Sequence, residues 1–487
     1  MSSQILLINA IHPEEFRIAL VEGFTLEGFF IETTSRASYV GNIYKGVVEQ
    51  VQPALQAAFV NYGAERNGFL PIDEIHPEYF SEDPVGEPRI QELIEPGQEV
   101  LVQVTKDAVN HKGAALTTYI SLAGRYVVLM PGRNQRAISR KITDEEQRER
   151  LKAIAQEISL PDNFGIIIRT AAANQTKREI IKDLRYLMRI WESIREKAAT
   201  QPAPSLIYQE RGLAIRVIRD YFTPDIKRIV VDQKDVYREV KDFLRIISPK
   251  HQGCVELHRQ TVPLFTYYKI EDQIERIFDK RVPLKSGGYL IIEPTEALVA
   301  IDVNSGSATS EKDIEETAFR VNMEAAAEIP RQLRLRDLGG LIVVDFIDMS
   351  HPARKARVEQ ELRKAARKDK AKITIGKISR FGLLEISRQH LGMSVQMGSY
   401  RECPNCRGTG MVRTAEAAAL SLLRKIWSKL AMENGIQRLH VKASPDVAFY
   451  LLNRKRPDIV DLEERYRVSI FIEGDDSLSQ DETIIEE

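Results

Sequence analysis

The order of apolar and polar residues along the chain predicts short strands first and mixed helices and strands later. Apolar runs such as QILLINA predict strands in residues 1–35. Residues 36–120 hold short alternating runs separated by Gly, Pro and Asn, a pattern typical of a small β-barrel. In residues 121–212, apolar strand-like runs alternate with two amphipathic helices, DEEQRERLKAIAQEI and KREIIKDLRYLMRIWESIREKAAT.

The later part of the chain predicts α/β structure. Residues 213–278 predict strands at LAIRVIRDYF and RIVVD, followed by a helix at DVYREVKDFLRII. Residues 279–398 predict a hairpin at YLIIEPTEALVAIDVN, a long helix, the apolar strand LIVVDFIDM and a basic helix. A CPNCRGTG turn lies in residues 399–412, and residues 413–487 predict a helix, a small αβ unit and an acidic tail.

Composition narrows the class of protein. The chain has 487 residues, enough for about three or four domains. Its 43% hydrophobic and 29% charged residues exclude a disordered scaffold for most of the length. No apolar run reaches the roughly 18 residues of a membrane span, and the N-terminus does not read as a secretory signal. With three cysteines a disulfide framework is excluded, and we expect a cytoplasmic protein.

Charge is sorted along the chain. The net charge of −1 excludes a globally basic nucleic-acid binder but leaves room for a local basic groove. Residues 354–380 hold eleven Lys and Arg against three Asp and Glu, whereas seven acids and no Lys or Arg follow Phe471. The basic run is either a solvated helix face or a surface that follows an RNA backbone.

Two aspartates at predicted strand ends carry the strongest catalytic signal. Asp302 follows EALVAI and Asp345 follows LIVV, with one predicted helix between them. Two strands joined by a helix commonly lie side by side, which would bring these carboxylates together, where they would repel unless a cation is present. Mg²⁺ binds a few carboxylates and retains water, which fits metal-assisted attack on a phosphodiester. The alternative is that these acids cap helices or pair with Arg, which applies above all to Asp348.

The CPNC turn has the spacing of a zinc knuckle. Cys403 and Cys406 can supply two thiolates from one tight turn, whereas a structural zinc takes four ligands. The sequence holds no second CxxC, so the economical solution is that two chains each donate one pair. A redox pair or two idle thiols are the alternatives. Cys254 is expected to be a small core residue.

Two further groups of residues suit RNA. Aromatic and basic residues alternate in the predicted barrel, where exposed rings could stack bases, although half of the rings are expected to form the barrel core. Phe59 and Phe69 are the surface candidates. Arg169 and Thr170 end an apolar strand and offer a guanidinium beside a hydroxyl, which suits a terminal phosphate, although a surface ion pair is the commoner outcome.

Long motifs in the chain resemble the bacterial ribonuclease E/G family. They are IDVNSG, DIEETAF, RQLRLRDLGGLIVVDFIDM, ISRFGLLEISRQ, CPNCRGTG, QAAFVNYGAERNGFLPIDEI, KGAALTTYISLAGRY and GIIIRTAA. The resemblance runs from residue 1 to about residue 440.

The resemblance implies an α/β multidomain fold. An RNase H-like domain is split between residues 1–35 and 213–278 and is expected to lack that fold's usual catalytic acids. Inserted in it are an S1-like OB barrel (36–120) and a 5′-sensor region (121–212). A DNase I-like catalytic domain (279–398), a zinc-link (399–412) and a small dimerisation domain with an acidic tail (413–487) follow.

The resemblance also implies roles for individual residues. Asp302 and Asp345 would hold a catalytic Mg²⁺, assisted by Asn304. The remaining roles are RNA binding by Phe59, Phe69 and Lys112, 5′-phosphate sensing by Arg169, Thr170, Gly124 and Val128, and intersubunit zinc binding by Cys403 and Cys406. A sensor position that is often Arg in the family is Lys372 here, which keeps the charge but loses the bidentate fork.

The implied function is that of a Mg²⁺-dependent endoribonuclease. It would cut single-stranded, A/U-rich RNA to 5′-phosphate and 3′-hydroxyl ends, favour 5′-monophosphorylated substrates, and serve rRNA 5′-end processing and mRNA decay. The expected assembly is a homodimer through a shared Zn²⁺, possibly extended to a tetramer. The acidic stub after about residue 473, in place of a long scaffold tail for partner enzymes, suggests the G type of the family. A compact E-type enzyme, a non-catalytic RNA-binding protein and a DNA nuclease are the alternatives.

Overall fold

The computed structural model describes residues 4–34, 38–81, 88–108, 112–142, 144–307, 314–390, 403–433 and 435–487. Two units, residues 1–398 and 399–487, make up the fold. The part of the chain that the structure describes includes no helix long and apolar enough to cross a membrane.

The first unit begins with an antiparallel meander. Its strands are β1 (Gln4–Asn9), β2 (Glu15–Glu22) and β3 (Thr25–Thr33). Leu6, Leu7 and Ile8 are consecutive and fully buried, so both faces of β1 are covered. A strand covered on both faces is continuously apolar, as the QILLINA run is.

A closed five-stranded barrel follows, as the spacing of short strands predicts. It consists of β4 (Ile43–Gln52), β5 (Ala57–Asn61), β6 (Gly68–Pro71), β7 (Glu99–Lys106) and β8 (Ala115–Thr117), with the short helix α1 (Ile90–Leu93) before β7. The order is β4-β5-β6-β8-β7, and β7 pairs again with β4 to close the barrel.

The next segment is a small sheet with two helices. Its elements are β9 (Leu122–Ala123), β10 (Val127–Pro131), β11 (Arg136–Ile138), α2 (Glu145–Glu157), β12 (Phe164–Ile168), α3 (Lys177–Thr200) and β13 (Ser205–Tyr208). The sheet order is β11-β12-β10-β9, and β13 pairs with β4 of the barrel. Thr176 and Glu179 form a capping box at the start of α3, which fixes where that helix begins.

The predicted strand LAIRVIRDYF is wrong. Residues Leu213–Tyr221 form a helix, α4, which begins after Gly212. Four apolar side chains of α4, those of Ala214, Ile215, Val217 and Ile218, are buried. Their spacing of three and four residues defines one helix face, and the β-branched residues at these positions made the run resemble a strand.

The chain then returns to the first sheet. β14 (Ile226–Val231) pairs parallel with β1, and β15 (Val255–Leu257) pairs parallel with β14, which gives the order β15-β14-β1-β2-β3. The intervening helix is α5 (Lys234–Ile247), and α6 (Leu264–Tyr267) and α7 (Glu271–Glu275) follow. The barrel and the small sheet are therefore inserted between β3 and β14.

A third sheet ends the first unit. Its strands are β16 (Arg281–Pro283), β17 (Tyr289–Pro294), β18 (Val299–Asn304), β19 (Gly340–Asp345), β20 (Ile373–Ile375) and β21 (Leu383–Arg388), in the order β16-β17-β18-β19-β21-β20. The helices α8 (Ile314–Arg336) and α9 (Pro352–Ala366) pack with the buried side chains of its strands. Buried and exposed residues alternate along β21, so the face that these helices do not cover is open.

The second unit is a small αβ domain. It consists of α10 (Ala415–Met432), β22 (Arg438–Ala443), α11 (Pro445–Arg454), α12 (Arg456–Tyr466), β23 (Ser469–Gly474) and β24 (Thr483–Glu486). Within the acidic tail, β24 pairs antiparallel with β22 and so extends the sheet. Ion pairs with basic residues hold this acidic segment: Arg407–Glu482, Arg413–Asp481 and Lys429–Glu487.

Candidate active site

Asp302 and Asp345 lie side by side. Asp345 ends β19, and its direct neighbour in the parallel strand β18 is Asp302, two residues before the end of that strand. Both side chains are exposed on the open face of the third sheet. The amide of Asn304 donates a hydrogen bond of 2.8 Å to Oδ2 of Asp302, which holds that carboxylate in one orientation. The strand–helix–strand pattern of the sequence thus brings all three side chains together at the C-terminal ends of two central strands of the sheet.

A glycine keeps space next to these acids. Gly382 has a φ of +82°, and a Cβ placed on it would lie 3.4 Å from Oδ1 of Asp348 and 3.7 Å from Oδ1 of Asp345. The pKa of Asp345 is raised by burial and by the charges of Asp302 and Asp348. Adjacent carboxylates with a raised pKa are the oxygen donors that suit a divalent cation.

The donor set therefore fits Mg²⁺, which takes one or two carboxylates and keeps several waters. Among the described residues, no three His, Cys, Asp or Glu side chains form a ready metal cage. Asp302 and Asp345 would bind such an ion from one side and leave the rest of its coordination to water and substrate.

The predicted phosphate-sensing residues lie around the end of β12. The guanidinium of Arg169 donates hydrogen bonds of 2.6 Å to the carbonyl of Gly124 and to Oδ1 of Asp220. Thr170 is exposed and begins a turn of 3₁₀ helix, and Val128 is half-buried in β10. The N–H of Gly124 donates to the carbonyl of Val127 at 2.8 Å, so both polar backbone groups of Gly124 have partners within the protein.

Two residues that the sequence analysis did not select belong to this group. Asp220 bridges Arg169 and Arg219, and its pKa is lowered because these two cations outweigh the effect of burial. The Lys370 amino group lies 3.8 Å from the ring centroid of Tyr221. Burial lowers its pKa to about 7, opposed by Asp220 and assisted by Arg169. Lys370 lies in a basic run, and nothing in that run distinguishes it from its neighbours. Lys372 is exposed.

The barrel places its candidate RNA-binding rings together. Phe59 on β5 and Phe69 on β6 are direct cross-strand neighbours, and their half-buried rings meet edge to face with centroids 5.9 Å apart. Lys112 is exposed just before β8. Tyr62 is buried in the barrel core, in line with the expectation that part of the aromatic residues are structural.

The cysteines of the CPNC turn are accessible. Cys403 is exposed and Cys406 is half-buried. Backbone N–H groups of Cys406 and Asn405 donate to the Cys403 sulfur and lower its pKa, which favours the thiolate that zinc binds. The turn is closed by a hydrogen bond of 2.8 Å from the N–H of Arg407 to the carbonyl of Cys403. Cys254 packs against the core of the first sheet, and burial raises its pKa, as expected of a core thiol.

The paired carboxylates and the neighbouring rings of the barrel are typical of a multidomain protein that acts on nucleic-acid phosphodiesters. Residues 121–391 match the family model described as Ribonuclease E/G family, residues 402–487 match the RNase E/G thioredoxin-like domain, and residues 39–118 match the S1 RNA binding domain. The chain belongs to the ribonuclease E/G family, which confirms the resemblance that its motifs carry.

The curated relatives include both types of the family. The chain is 46% identical to ribonuclease E of Haemophilus influenzae over 97% of this chain and 51% of that protein. It is 46% identical to ribonuclease E of Escherichia coli over 94% of this chain and 44% of that protein. Against ribonuclease G of Escherichia coli the identity is 37%, over 94% of each chain. The chain therefore spans about half the length of these two ribonuclease E proteins, and its identity to them is higher than its identity to ribonuclease G.

Proposed function

We propose that this chain is an endoribonuclease of the E type that cuts single-stranded RNA in RNA processing and decay. The observation that carries the proposal is the direct register of Asp302 and Asp345 on the open face of the third sheet. Membership in a family whose named relatives are ribonucleases supports it. The substrates we propose are rRNA precursors and mRNA, in the cytoplasm.

The reaction is a hydrolysis at phosphorus. Asp302 and Asp345 would hold Mg²⁺, which when bound supplies Lewis-acid stabilisation of the charge on the scissile phosphate. Asn304 keeps the Asp302 carboxylate oriented, and Gly382 keeps room for substrate beside Asp345. Water forms the new P–O bond, the P–O3′ bond breaks, and the 3′ oxygen takes up a proton. The products are a 5′-phosphate and a 3′-hydroxyl.

We further propose that the group around Arg169 binds the 5′ end of the RNA and favours a monophosphate. Arg169 and the Thr170 hydroxyl would contact the phosphate, with Gly124 and Val128 beside it. Lys370, whose pKa burial lowers to about 7, adds a cation to this group when it is protonated. Asp220 shares the Arg169 guanidinium at 2.6 Å, so a bound phosphate competes with that carboxylate.

The barrel would hold the RNA strand. Phe59 and Phe69 offer ring surface to a base, and Lys112 offers charge to the backbone, which is how OB-type barrels bind single strands. We propose A/U-rich segments as substrates because they remain unpaired.

We also propose that two chains share one Zn²⁺. Cys403 and Cys406 supply two thiolates, and the same turn of a second copy would complete the tetrahedral set. The assembly would then be a homodimer, which a further interface could extend to a tetramer.

The test uses an end-labelled, unstructured A/U-rich RNA with either a 5′-monophosphate or a 5′-triphosphate. We expect internal cuts with Mg²⁺ that disappear in Asp302→Asn, persist in the exposed control Asp235→Asn, and proceed faster on the monophosphate. A DNA oligomer of the same sequence should remain intact.

Each contrary result removes a different part of the proposal. Products with 2′,3′-cyclic phosphate would exclude water as the nucleophile. Equal rates on both 5′ ends would exclude the sensing role of Arg169 and Thr170. RNA that binds but stays uncut at every Mg²⁺ concentration would instead indicate a non-catalytic RNA-binding protein.

A further inference from the structure

An exposed aromatic ring stands on a rigid turn beside the paired carboxylates. The side chain of Phe381 is 68% exposed, although it directly precedes Gly382, whose backbone lies against Asp345 and Asp348. The turn is fixed by hydrogen bonds from the Ser379 N–H to the Leu383 carbonyl (2.8 Å), from the Gly382 N–H to the Ser379 carbonyl (3.2 Å) and from the Phe346 N–H to the Gly382 carbonyl (3.3 Å). Phe381 is therefore held in place next to the site.

A guanidinium is stacked on this ring. The Arg380 guanidinium carbon lies 4.7 Å from the Phe381 ring centroid, within cation–π distance. A single exposed Phe is ordinary on a protein surface. An exposed ring backed by a guanidinium, on a turn that touches the catalytic acids, is instead arranged as a platform for a planar group.

A second arginine–aromatic pair lies on the other side of the carboxylates. Tyr289 on β17 is the cross-strand neighbour of Asn304, and the Arg281 guanidinium carbon lies 3.8 Å from its ring centroid. The Tyr289 ring also covers Gly306, where an added Cβ would come within 3.2 Å of it. This ring is half-buried and shares the open face with Asp302.

The strand register places both pairs around one row of side chains. Ile291, Asp302, Asp345 and Leu383 are neighbours in that row, across β17, β18, β19 and β21. Three steps between strands separate β17 from β21 by about 14 Å. The two carboxylates lie in the middle of that distance, with Tyr289 on the β17 side and Phe381 on the β21 side.

We propose that Phe381 and Tyr289 are base-stacking platforms that hold the two nucleotides flanking the scissile phosphodiester, with Arg380 and Arg281 behind them. This inference rests on the proposed endoribonuclease function and adds positioning residues to it. Stacking on a ring tolerates every base because each has a π face, but it needs a base that is free of a duplex. The platforms would thus select single-stranded RNA at the point of cleavage and align the phosphate over Asp302 and Asp345.

The first experiment compares cleavage of a short RNA with one cut site by wild type, Phe381→Ala, Phe381→Trp and the control Phe24→Ala. Phe24 is 79% exposed at the β2–β3 turn, so its variant loses an equally exposed ring elsewhere. We expect kcat/KM to fall roughly ten- to hundredfold in Phe381→Ala, to be largely restored in Phe381→Trp and to be unchanged in Phe24→Ala. Equal activity of Phe381→Ala and wild type would overturn the inference.

The second experiment removes the base instead of the ring. An abasic nucleotide on one side of the cut site should slow wild type by a similar factor and should slow Phe381→Ala no further, because the contact is already absent. An abasic nucleotide on the other side should show the same pattern with Tyr289→Ala. Losses that simply multiply in every combination would show that neither ring touches a flanking base, which overturns the inference.

Two controls separate the remaining outcomes. Sedimentation of Phe381→Ala at the assay concentration should match wild type, and dissociation of an oligomer would show that the ring contacts a second copy, which overturns the inference. If wild type does not cut RNA, the proposed function fails. The platform is then judged by 2-aminopurine within a bound single-stranded RNA, whose fluorescence wild type should quench more strongly than Phe381→Ala. Equal quenching by both proteins would overturn the inference.

Discussion

At the scale of single residues, Asp345 is the carboxylate of the site whose pKa is raised by burial and by the neighbouring acids. Its raised pKa means that the Asp345 carboxyl binds its proton more tightly in the folded protein than in the unfolded chain. Ionisation of Asp345 therefore destabilises the fold. This loss of stability is absent below the ordinary carboxyl pKa and is complete once the pH exceeds the raised pKa. In the metal-free protein, this carboxyl therefore lowers stability as the pH rises toward neutrality. Removal of the neighbouring charge of Asp302 or Asp348 should reduce this loss of stability.

Asp302→Asn should therefore separate activity from stability. We expect about a hundredfold or greater loss of cleavage, because one carboxylate ligand of the ion is gone. The melting temperature in chelator at pH 7 should be at least that of wild type, and the difference should shrink toward pH 4. Thermal scans across this range, with Asp235→Asn as control, provide the measurement. A melting temperature several degrees below wild type at pH 7 would show that Asp302 is a structural residue.

Substitution of Gly124 is predicted to lower the stability of the fold, unlike substitution of Asp302. A Cβ at Gly124 would lie 2.5 Å from Oδ2 of Asp183, a buried carboxylate that accepts hydrogen bonds from the N–H groups of Tyr126 and Val127. Gly124→Ala should lower the free energy of unfolding by about 1–3 kcal/mol. Urea denaturation measures this, and Gly253→Ala, where a Cβ meets nothing within 4 Å, is the control. Equal losses in both variants would contradict the steric argument.

At the scale of elements, α4 shows where local pattern is insufficient. Its end is capped from another segment, because Arg125 donates to the carbonyls of Ile218 (3.4 Å) and Phe222 (2.9 Å). The guanidinium is buried and lies against the rings of Tyr126 and Phe222. No residue within the helix sequence reveals this distant donor, and the β-branched run by itself predicts a strand.

Arg125→Met should test that capping role. The substitution keeps much of the buried volume but removes the donor to the Phe222 carbonyl, whereas the Ile218 carbonyl still accepts from the Phe222 N–H at 3.1 Å. We expect a loss of about 2–4 kcal/mol in the free energy of unfolding, measured by urea denaturation. Arg238→Met removes an arginine of 73% side-chain exposure and should cost less than about 0.5 kcal/mol. A similar small cost in both variants would mean that α4 does not depend on Arg125.

Other elements were predictable for physical reasons that are local. Asp302 and Asp345 could be paired from sequence because apolar strands and one connecting helix place successive parallel strands together. Phe59 and Phe69 lie in short alternating strands whose register follows from their turns. Asp220 and Lys370 could not be found, because the Arg169–Asp220 ion pair and the contact of Lys370 with the Tyr221 ring join segments that are distant in sequence and leave no periodic signal. The pairing of β24 could not be predicted, because this strand has only four residues and its partner strand lies about 40 residues earlier.

At the scale of the whole molecule, the cysteine turn makes a prediction about assembly. If two copies share the ion, purified protein should contain about 0.5 zinc per chain, because one tetrahedral site needs both turns. Cys403→Ser should lose the zinc and shift sedimentation from dimer to monomer, whereas Cys254→Ser should keep both zinc and dimer. Elemental analysis and analytical ultracentrifugation measure these quantities. One zinc per chain, or an unchanged dimer in Cys403→Ser, would contradict the shared site.

The insertion between β3 and β14 has a consequence for synthesis on the ribosome. β1 and its parallel partner β14 are separated by more than 200 residues, so the first sheet cannot close when its N-terminal strands emerge. At a synthesis rate of roughly 5–20 residues per second, β14 is made on the order of 10–40 s after β1. During that interval, the fully apolar edge of Leu6, Leu7 and Ile8 is open to other chains. The nascent chain should then be the form of this protein most dependent on chaperones.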